Sequence, residues 1–184
     1  MNRDFNETGL SFELLDIVRT PNADWFHRVG ERNELDFEMK TALRTRRGDI
    51  TTLNVYTVGF TYDPKLLGYA TFPVNSTTHS TEDGIVLNYS VLPNGTYENF
   101  NKGRTLTHEV GHWVGLYHTF EGGCSEPGDY VDDTPAEAYP AEKCEPRNSC
   151  PGRNGTDRKG FSLPHPRPLL LTYFVPSYQK LHGL

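Results

Sequence analysis

The pattern of apolar and polar residues predicts four strands in the first half of the chain. Residues 10–19 are rich in aliphatic and aromatic side chains and predict a strand. Residues 51–59 alternate between apolar and polar with a period of two, which is typical of a half-buried strand. Shorter strands are predicted at 68–72 and 84–91, so a sheet is expected to form much of this region.

Two helices are predicted between and after these strands. Asn33 is a suitable N-cap for a helix over 34–47, which is acidic in its first turn and basic in its last, as the helix dipole favours. Gly48 ends this helix. A second helix is predicted over 101–115. The order of strand, helix, strands and helix predicts a mixed α/β (α+β) domain.

The character of the chain changes twice towards its end. Residues 121–145 hold eight carboxylates and one lysine, with glycine and proline among them, and predict a long irregular loop. The last 32 residues carry five basic groups and one acidic group, and prolines recur without an apolar period. We therefore expect one folded domain over 1–152 and a disordered tail over 153–184.

The segment HEVGHWVGLYH carries a candidate zinc site. His108 and His112 lie four residues apart, so a helix places both imidazoles on one face, where they can bind one metal ion. Gly115 is expected to end the helix with a positive φ, after which His118 can supply a third nitrogen. The alternative is a solvated helix face with ordinary histidines, but the full eleven-residue pattern favours a metal site.

The predicted ligand set indicates a catalytic metal ion. Three protein ligands leave the fourth tetrahedral position of zinc open for water, whereas structural zinc sites are closed. Glu109 is rotated away from the first ligand and is expected to act as general base beside that position. Such chemistry needs no serine or cysteine nucleophile.

Charge, sequons and cysteines limit the possible environments. The net charge of −6 argues against nucleic-acid and anionic-membrane partners. The N-terminal residues contain no apolar signal-peptide core, which favours the cytosol. Against this, three cysteines lie in a Gly/Pro-rich stretch, which suggests disulfides in an oxidising compartment. The Asn-x-Ser/Thr pattern also occurs more often than the roughly two times expected by chance, at Asn6, Asn75, Asn88, Asn94 and Asn154.

The eleven residues HEVGHWVGLYH resemble the zinc motif of the metzincin class of metallopeptidases, and longer motifs extend this resemblance. The segment HEVGHWVGLYHTFEGGC, followed by GDYVDDTPAE, resembles the small secreted members of the pappalysin (cytophagalysin) family of metzincins, as do NADWF, GYATFP and DGIVLNY upstream. The resemblance covers roughly residues 5–152. It implies a metzincin-like zincin domain and a secreted zinc metalloendopeptidase that acts on proteins or peptides. His108, His112 and His118 would bind zinc, and Glu109 would be the catalytic acid/base.

The same resemblance implies three further features. The strand at 68–72 would be the edge that pairs with an extended substrate. Calcium would bind in the acidic loop, through Asp129, Asp132, Asp133 and Thr134. Cys124 would pair with Cys150, and Cys144 would stay unpaired because the family's fourth cysteine is absent.

The chain departs from the family pattern at both ends. The family's first strand and long helix are missing, and the only methionines are Met1 and Met39, so neither can form a methionine turn after the third histidine. The tyrosine that follows this turn is missing as well. These departures predict a chain truncated at its front, replaced from about Arg153 and weakly active or inactive.

Two other functions remain open on the sequence alone. One is a catalytically inactive secreted glycoprotein that keeps zinc and calcium for structure or binding. The other is a cytosolic zinc hydrolase. For the leading interpretation we expect a monomer that binds protein or peptide substrates, with no nucleic-acid or membrane partner.

Overall fold

The structure is a computed structural model that describes residues 1–44, 51–73, 81–132, 134–141 and 147–152. Its elements confirm the mixed α/β prediction. In chain order they are α1 (Ala23–Arg28), α2 (Glu34–Leu43), β1 (Val55–Val58), β2 (Gly68–Ala70), β3 (Ile85–Asn88), a 3-10 turn (Tyr89–Val91) and α3 (Arg104–Trp113).

The three strands form one small mixed sheet with the order β1-β3-β2. β1 runs parallel to β3, and β2 runs antiparallel to it. All four residues of β3 are buried, as expected for a central strand covered on both faces. Among the described strands β2 is therefore an edge, and α3 packs beside it.

Both N-terminal helices begin at an asparagine. The side chain of Asn33 accepts a hydrogen bond from the amide of Asp36, which confirms its predicted role as N-cap of α2. Asn22 accepts from the amide of Trp25 in the same way and starts α1, a six-residue helix that the sequence patterns did not predict. Only the capping residue Asn22 could have indicated this helix in the sequence, because so short a helix shows little periodicity.

The chain divides into two compact units, and the larger spans Glu13–Gly115. Its core joins the first two helices to the sheet, through Val29, Met39, Tyr56, Val58, Phe60, Tyr69 and Val86. A polar cluster is buried at the edge of this core. Asp36 accepts from the Lys40 ammonium group at 3.1 Å and from the Tyr69 hydroxyl at 2.8 Å, so the cluster ties α2 to β2.

The prediction of a strand at 10–19 is wrong. These residues form no ladder, and the apolar side chains of Leu14, Leu15, Ile17 and Val18 are 60–75% exposed. A strand needs a neighbour to pair its backbone groups, and no strand within the described ranges pairs with this segment. The apolar composition was identified correctly, but composition cannot supply the partner.

The described part of the second unit comprises residues 1–12 and most of 116–152. It is an irregular loop region, as predicted, with no helix and no strand longer than a single bridge in the described residues. Cys124 and Cys150 form the predicted disulfide, with α-carbons 5.5 Å apart. Buried Glu137 adds a polar link, because its Oε2 accepts from the Thr119 hydroxyl at 2.9 Å and from Arg147 at 3.2 Å.

Several predictions fall outside the described residues. They concern the last residues of the helix predicted over 34–47, at 45–47, together with Cys144, Asp133 and the tail at 153–184. Within the described ranges, no helix is both long enough and apolar enough to cross a membrane.

Candidate metal centre

Helix α3 carries two of the three candidate ligands, and glycines mark both of its ends. Gly103 precedes the helix with φ 76°, and Gly115 follows it with φ 100°. Both angles lie in the region that only glycine enters without a steric penalty. The structure thus confirms the positive φ predicted for Gly115, which lies between the second and third histidines of the motif.

His108 and His112 come together on one face of α3. Their Nε2 atoms are 3.0 Å apart, and their rings meet edge to face with centroids 4.6 Å apart. His112 is 8% exposed, and the ring of Phe72, two residues after β2, packs 5.2 Å from it. The i, i+4 spacing has therefore produced the convergence that the sequence predicts.

The third histidine of the motif completes the group. One nitrogen from each of His108, His112 and His118 lies within 4.8 Å of the others, and among the described residues no further group of three His, Cys, Asp or Glu side chains could hold a metal ion. The His118 ring stacks on Phe120 with centroids 4.8 Å apart.

These donors fit zinc. Tetrahedral zinc bound to imidazole at about 2.0–2.1 Å places neighbouring nitrogens roughly 3.4 Å apart. The 3.0 Å between the two Nε2 atoms of the helix is close to this value. A set of three imidazoles, the only group of this kind among the described residues, also matches the composition of catalytic rather than structural zinc sites.

Glu109 is 5% exposed and lies against the edge strand. A β-carbon built on Gly68 would lie 3.2 Å from its Oε1 atom, so the carboxylate is close to the backbone of β2. Burial, with a smaller contribution from the charge of Glu31, raises the pKa of Glu109 to about 8. The group that the sequence indicates as general base is thus held where its charged form needs a nearby cation.

The calcium prediction finds no support. Asp129 is buried, but its Oδ1 accepts a hydrogen bond from the amide of Val131 at 3.1 Å and so stabilises its own turn. Asp132 is exposed, and the described part of the loop contains no group of three acidic side chains that could hold an ion.

Sequence patterns did not indicate two residues that shape the site. Gly68 leaves room for the Glu109 carboxylate, and Phe72 packs on His112. Both lie in the segment GYATFP, which carries part of the family resemblance, but their contacts join residues 41 and 40 apart in the sequence. No local period reports such contacts.

The HEVGHWVGLYH motif, whose three histidines come together in a mixed α/β domain, is typical of zinc-dependent peptidases. The family model described as pregnancy-associated plasma protein-A, a peptidase family, matches residues 49–153, which is more than half of the chain. The chain therefore belongs to this family, the pappalysins, as its motif predicts.

Curated relatives carry a consistent name. The chain is 43% identical over 159 residues to an extracellular metalloprotease of Pyricularia oryzae, covering 85% of this chain and 53% of the relative. It is 42% identical over 163 residues to an extracellular metalloprotease of Arthroderma benhamiae, covering 85% and 52%. The chain thus spans about half the length of the curated relatives it matches.

Among solved structures, the chain resembles mature mirolysin of Tannerella forsythia in complex with a cleaved peptide. The identity is 33% and the TM-score 0.47, with 61% of this chain and 46% of mirolysin covered.

Proposed function

We propose that this chain is the zinc-binding part of a secreted metalloendopeptidase that hydrolyses peptide bonds. The observation that carries the proposal is the convergence of His108, His112 and His118, with Glu109 buried next to the first of them. Membership of a peptidase family and relatives named extracellular metalloproteases support the reaction class and the compartment.

The three histidines would hold zinc, and Glu109 would move the proton. When bound, zinc would acidify a water molecule and polarise the scissile carbonyl. Glu109 would accept the proton of the attacking water and deliver it to the leaving amine. Its position supports this role, because Glu109 directly follows the ligand His108 and its carboxylate lies beside Gly68 of β2.

The substrate would lie along β2. This strand is an edge among the described strands, and its Gly68 lies beside the Glu109 carboxylate. An extended peptide that pairs with such an edge gains backbone hydrogen bonds that do not depend on its sequence. The scissile bond would then be held near the general base.

The test is hydrolysis of a quenched fluorescent peptide library by the purified full chain. Removal of metal by a chelator should abolish cleavage, and one equivalent of zinc should restore it. Glu109→Gln should lower turnover by about 10²–10⁴-fold, the usual contribution of a general base, and still bind zinc. Glu13→Gln, which alters an exposed carboxylate, is the matched control.

Metal content provides the second measurement. His118→Ala should lower zinc stoichiometry and affinity, whereas His27→Ala, which changes a histidine of α1, should not. If the chain binds zinc through the three histidines and Glu109→Gln leaves its zinc-dependent peptide cleavage, however slow, unchanged, the hydrolytic part of the proposal is wrong. If His118→Ala leaves zinc affinity unchanged, the ligand set is wrong.

A further inference from the structure

One carboxylate joins the end of the zinc helix to the end of the edge strand. The Oδ1 atom of Asp83 accepts a hydrogen bond from the indole N–H of Trp113 at 2.9 Å. The Thr71 hydroxyl lies 3.3 Å from the same oxygen. Trp113 is the last residue of α3, and Thr71 directly follows β2, so Asp83 contacts both elements at neighbouring ends.

Both partners of Asp83 are adjacent to residues of the site. Trp113 follows the ligand His112 in the chain, and Thr71 precedes Phe72, whose ring packs on His112. A shift of Trp113 would therefore move His112, and a shift of Thr71 would move the ring that covers it. Asp83 is thus linked to the ligand His112 both through Trp113 and through Thr71 with Phe72.

Asp83 is itself held in place by its neighbour. Gly84 has φ 134°, and a β-carbon there would lie 2.7 Å from the carbonyl oxygen of Asn54. The Gly84 amide donates to the Thr71 hydroxyl oxygen at 2.9 Å, and the Thr71 amide donates to the Gly84 carbonyl at 3.1 Å. The turn is therefore hydrogen-bonded to the end of β2, which fixes the position of the Asp83 backbone.

We propose that Asp83 is a positioning residue that sets the spacing between the substrate-binding edge of β2 and the zinc helix. The inference rests on the proposed function. Asp83 touches neither zinc nor substrate and acts through Thr71 and Trp113. Its loss lets the strand end and the helix end move apart, so a peptide anchored on β2 no longer presents its carbonyl at the right distance from the metal.

The first experiment compares two inhibitors on the zinc-loaded full chain. Acetohydroxamate binds the metal alone, and a peptidyl hydroxamate also lies along the edge strand. Asp83→Ala should weaken the peptidyl compound by about tenfold or more, because a misplacement of about 1 Å can cost about 10²-fold where geometry is decisive. Acetohydroxamate should change by less than about twofold on the zinc-loaded chain, because it does not reach β2 and its binding does not depend on the distance between the strand and the metal.

Two variants make the comparison specific. Asp83→Asn keeps an oxygen acceptor at the same position and should restore most of the affinity for the peptidyl compound. Asp63→Ala removes an exposed carboxylate in another turn and should behave as the wild type. If Asp83→Ala weakens both compounds equally, or neither, Asp83 does not set this spacing.

Hydrogen exchange on the chain without added zinc tests whether Asp83 links β2 to α3, and this test does not depend on the proposed function. Asp83→Ala should speed amide exchange at 68–72 and 110–115 by about tenfold, since these segments lose their common anchor. The amides of β1 should exchange as in the wild type. Uniform acceleration, or none, overturns the proposal. If both hydroxamates fail on the wild type while exchange changes as expected, the proposed function fails and the linkage by Asp83 stands.

Discussion

Replacement of Asp36 by alanine should destabilise the chain far more than replacement of Asp24. Both carboxylates pair with a cation four residues later on a helix, and the two distances are nearly equal. Lys40 lies 3.1 Å from Asp36, and Arg28 lies 3.0 Å from Asp24. The pairs differ in burial, so the comparison isolates the effect of the environment on an ion pair.

The magnitude follows from exposure. The side chains of Lys40 and Asp36 are 1% and 7% exposed, so Asp36→Ala leaves a buried ammonium group without its carboxylate and removes the acceptor of the Tyr69 hydroxyl. Such a loss costs about 3–5 kcal/mol. The side chains of Arg28 and Asp24 are 56% and 66% exposed, and an exposed helical pair contributes only about 0.3–0.5 kcal/mol.

Urea denaturation followed by circular dichroism measures the difference. With a slope of about 2 kcal/mol per molar urea, Asp36→Ala should lower the midpoint by about 2 M, and Asp24→Ala by about 0.2 M. The double variant Asp36→Leu with Lys40→Met should recover much of the loss, because an apolar pair needs no charge compensation. Equal shifts for the two single variants would refute the reasoning.

Four further predictions concern single residues. The buried Tyr56 hydroxyl has no hydrogen-bond partner in the described structure, so Tyr56→Phe should be neutral or stabilising by about 1 kcal/mol, whereas Tyr69→Phe should destabilise in the same urea assay. Burial raises the pKa of Tyr56 to about 12, so the folded chain holds this proton more tightly than the unfolded chain does. The resulting stabilisation is fully present below pH 10 and is lost as the pH rises from 10 to about 12. Tyr56→Phe should therefore reduce the fall of the unfolding free energy over this pH range. Gly68→Ala should lower kcat/KM by about tenfold or more, because the added carbon would lie 2.7 Å from a leucine of β3 and 3.2 Å from the proposed general base; an unchanged kcat/KM would contradict the packing. In a secretory host, mass spectrometry after glycosidase treatment should find a glycan on exposed Asn94 and none on Asn88, which is 4% exposed.

The features predicted correctly are those encoded over short distances. The i, i+4 histidines, the positive φ of Gly115 and the asparagine cap of α2 each depend on residues within about one helical turn. The strands at 51–59 and 84–91 were identified, but the structure forms only Val55–Val58 and Ile85–Asn88 as ladders. A strand is hydrogen-bonded only as far as its partner strand extends, and the sequence of one strand does not contain the length of its partner.

Features that depend on distant residues could not be predicted. The hydrogen bond from Trp113 to Asp83 joins residues 30 apart, and the bond from Tyr69 to Asp36 joins residues 33 apart. The segment 10–19 shows the same limit, because its composition suits a strand and no pairing partner occurs within the described ranges. Pairwise tertiary interactions arise from the whole topology, and one sequence without relatives reports only local preferences.

The bond between Cys124 and Cys150 changes what a cut in the acidic loop can do. A peptide bond broken anywhere between these residues divides the backbone, but the two pieces stay covalently joined. Gel electrophoresis without reductant would therefore show one band at the original mass, and two fragments would separate only after reduction. In surroundings rich in proteases, a nicked chain would keep the histidine helix and the end of the loop on one molecule.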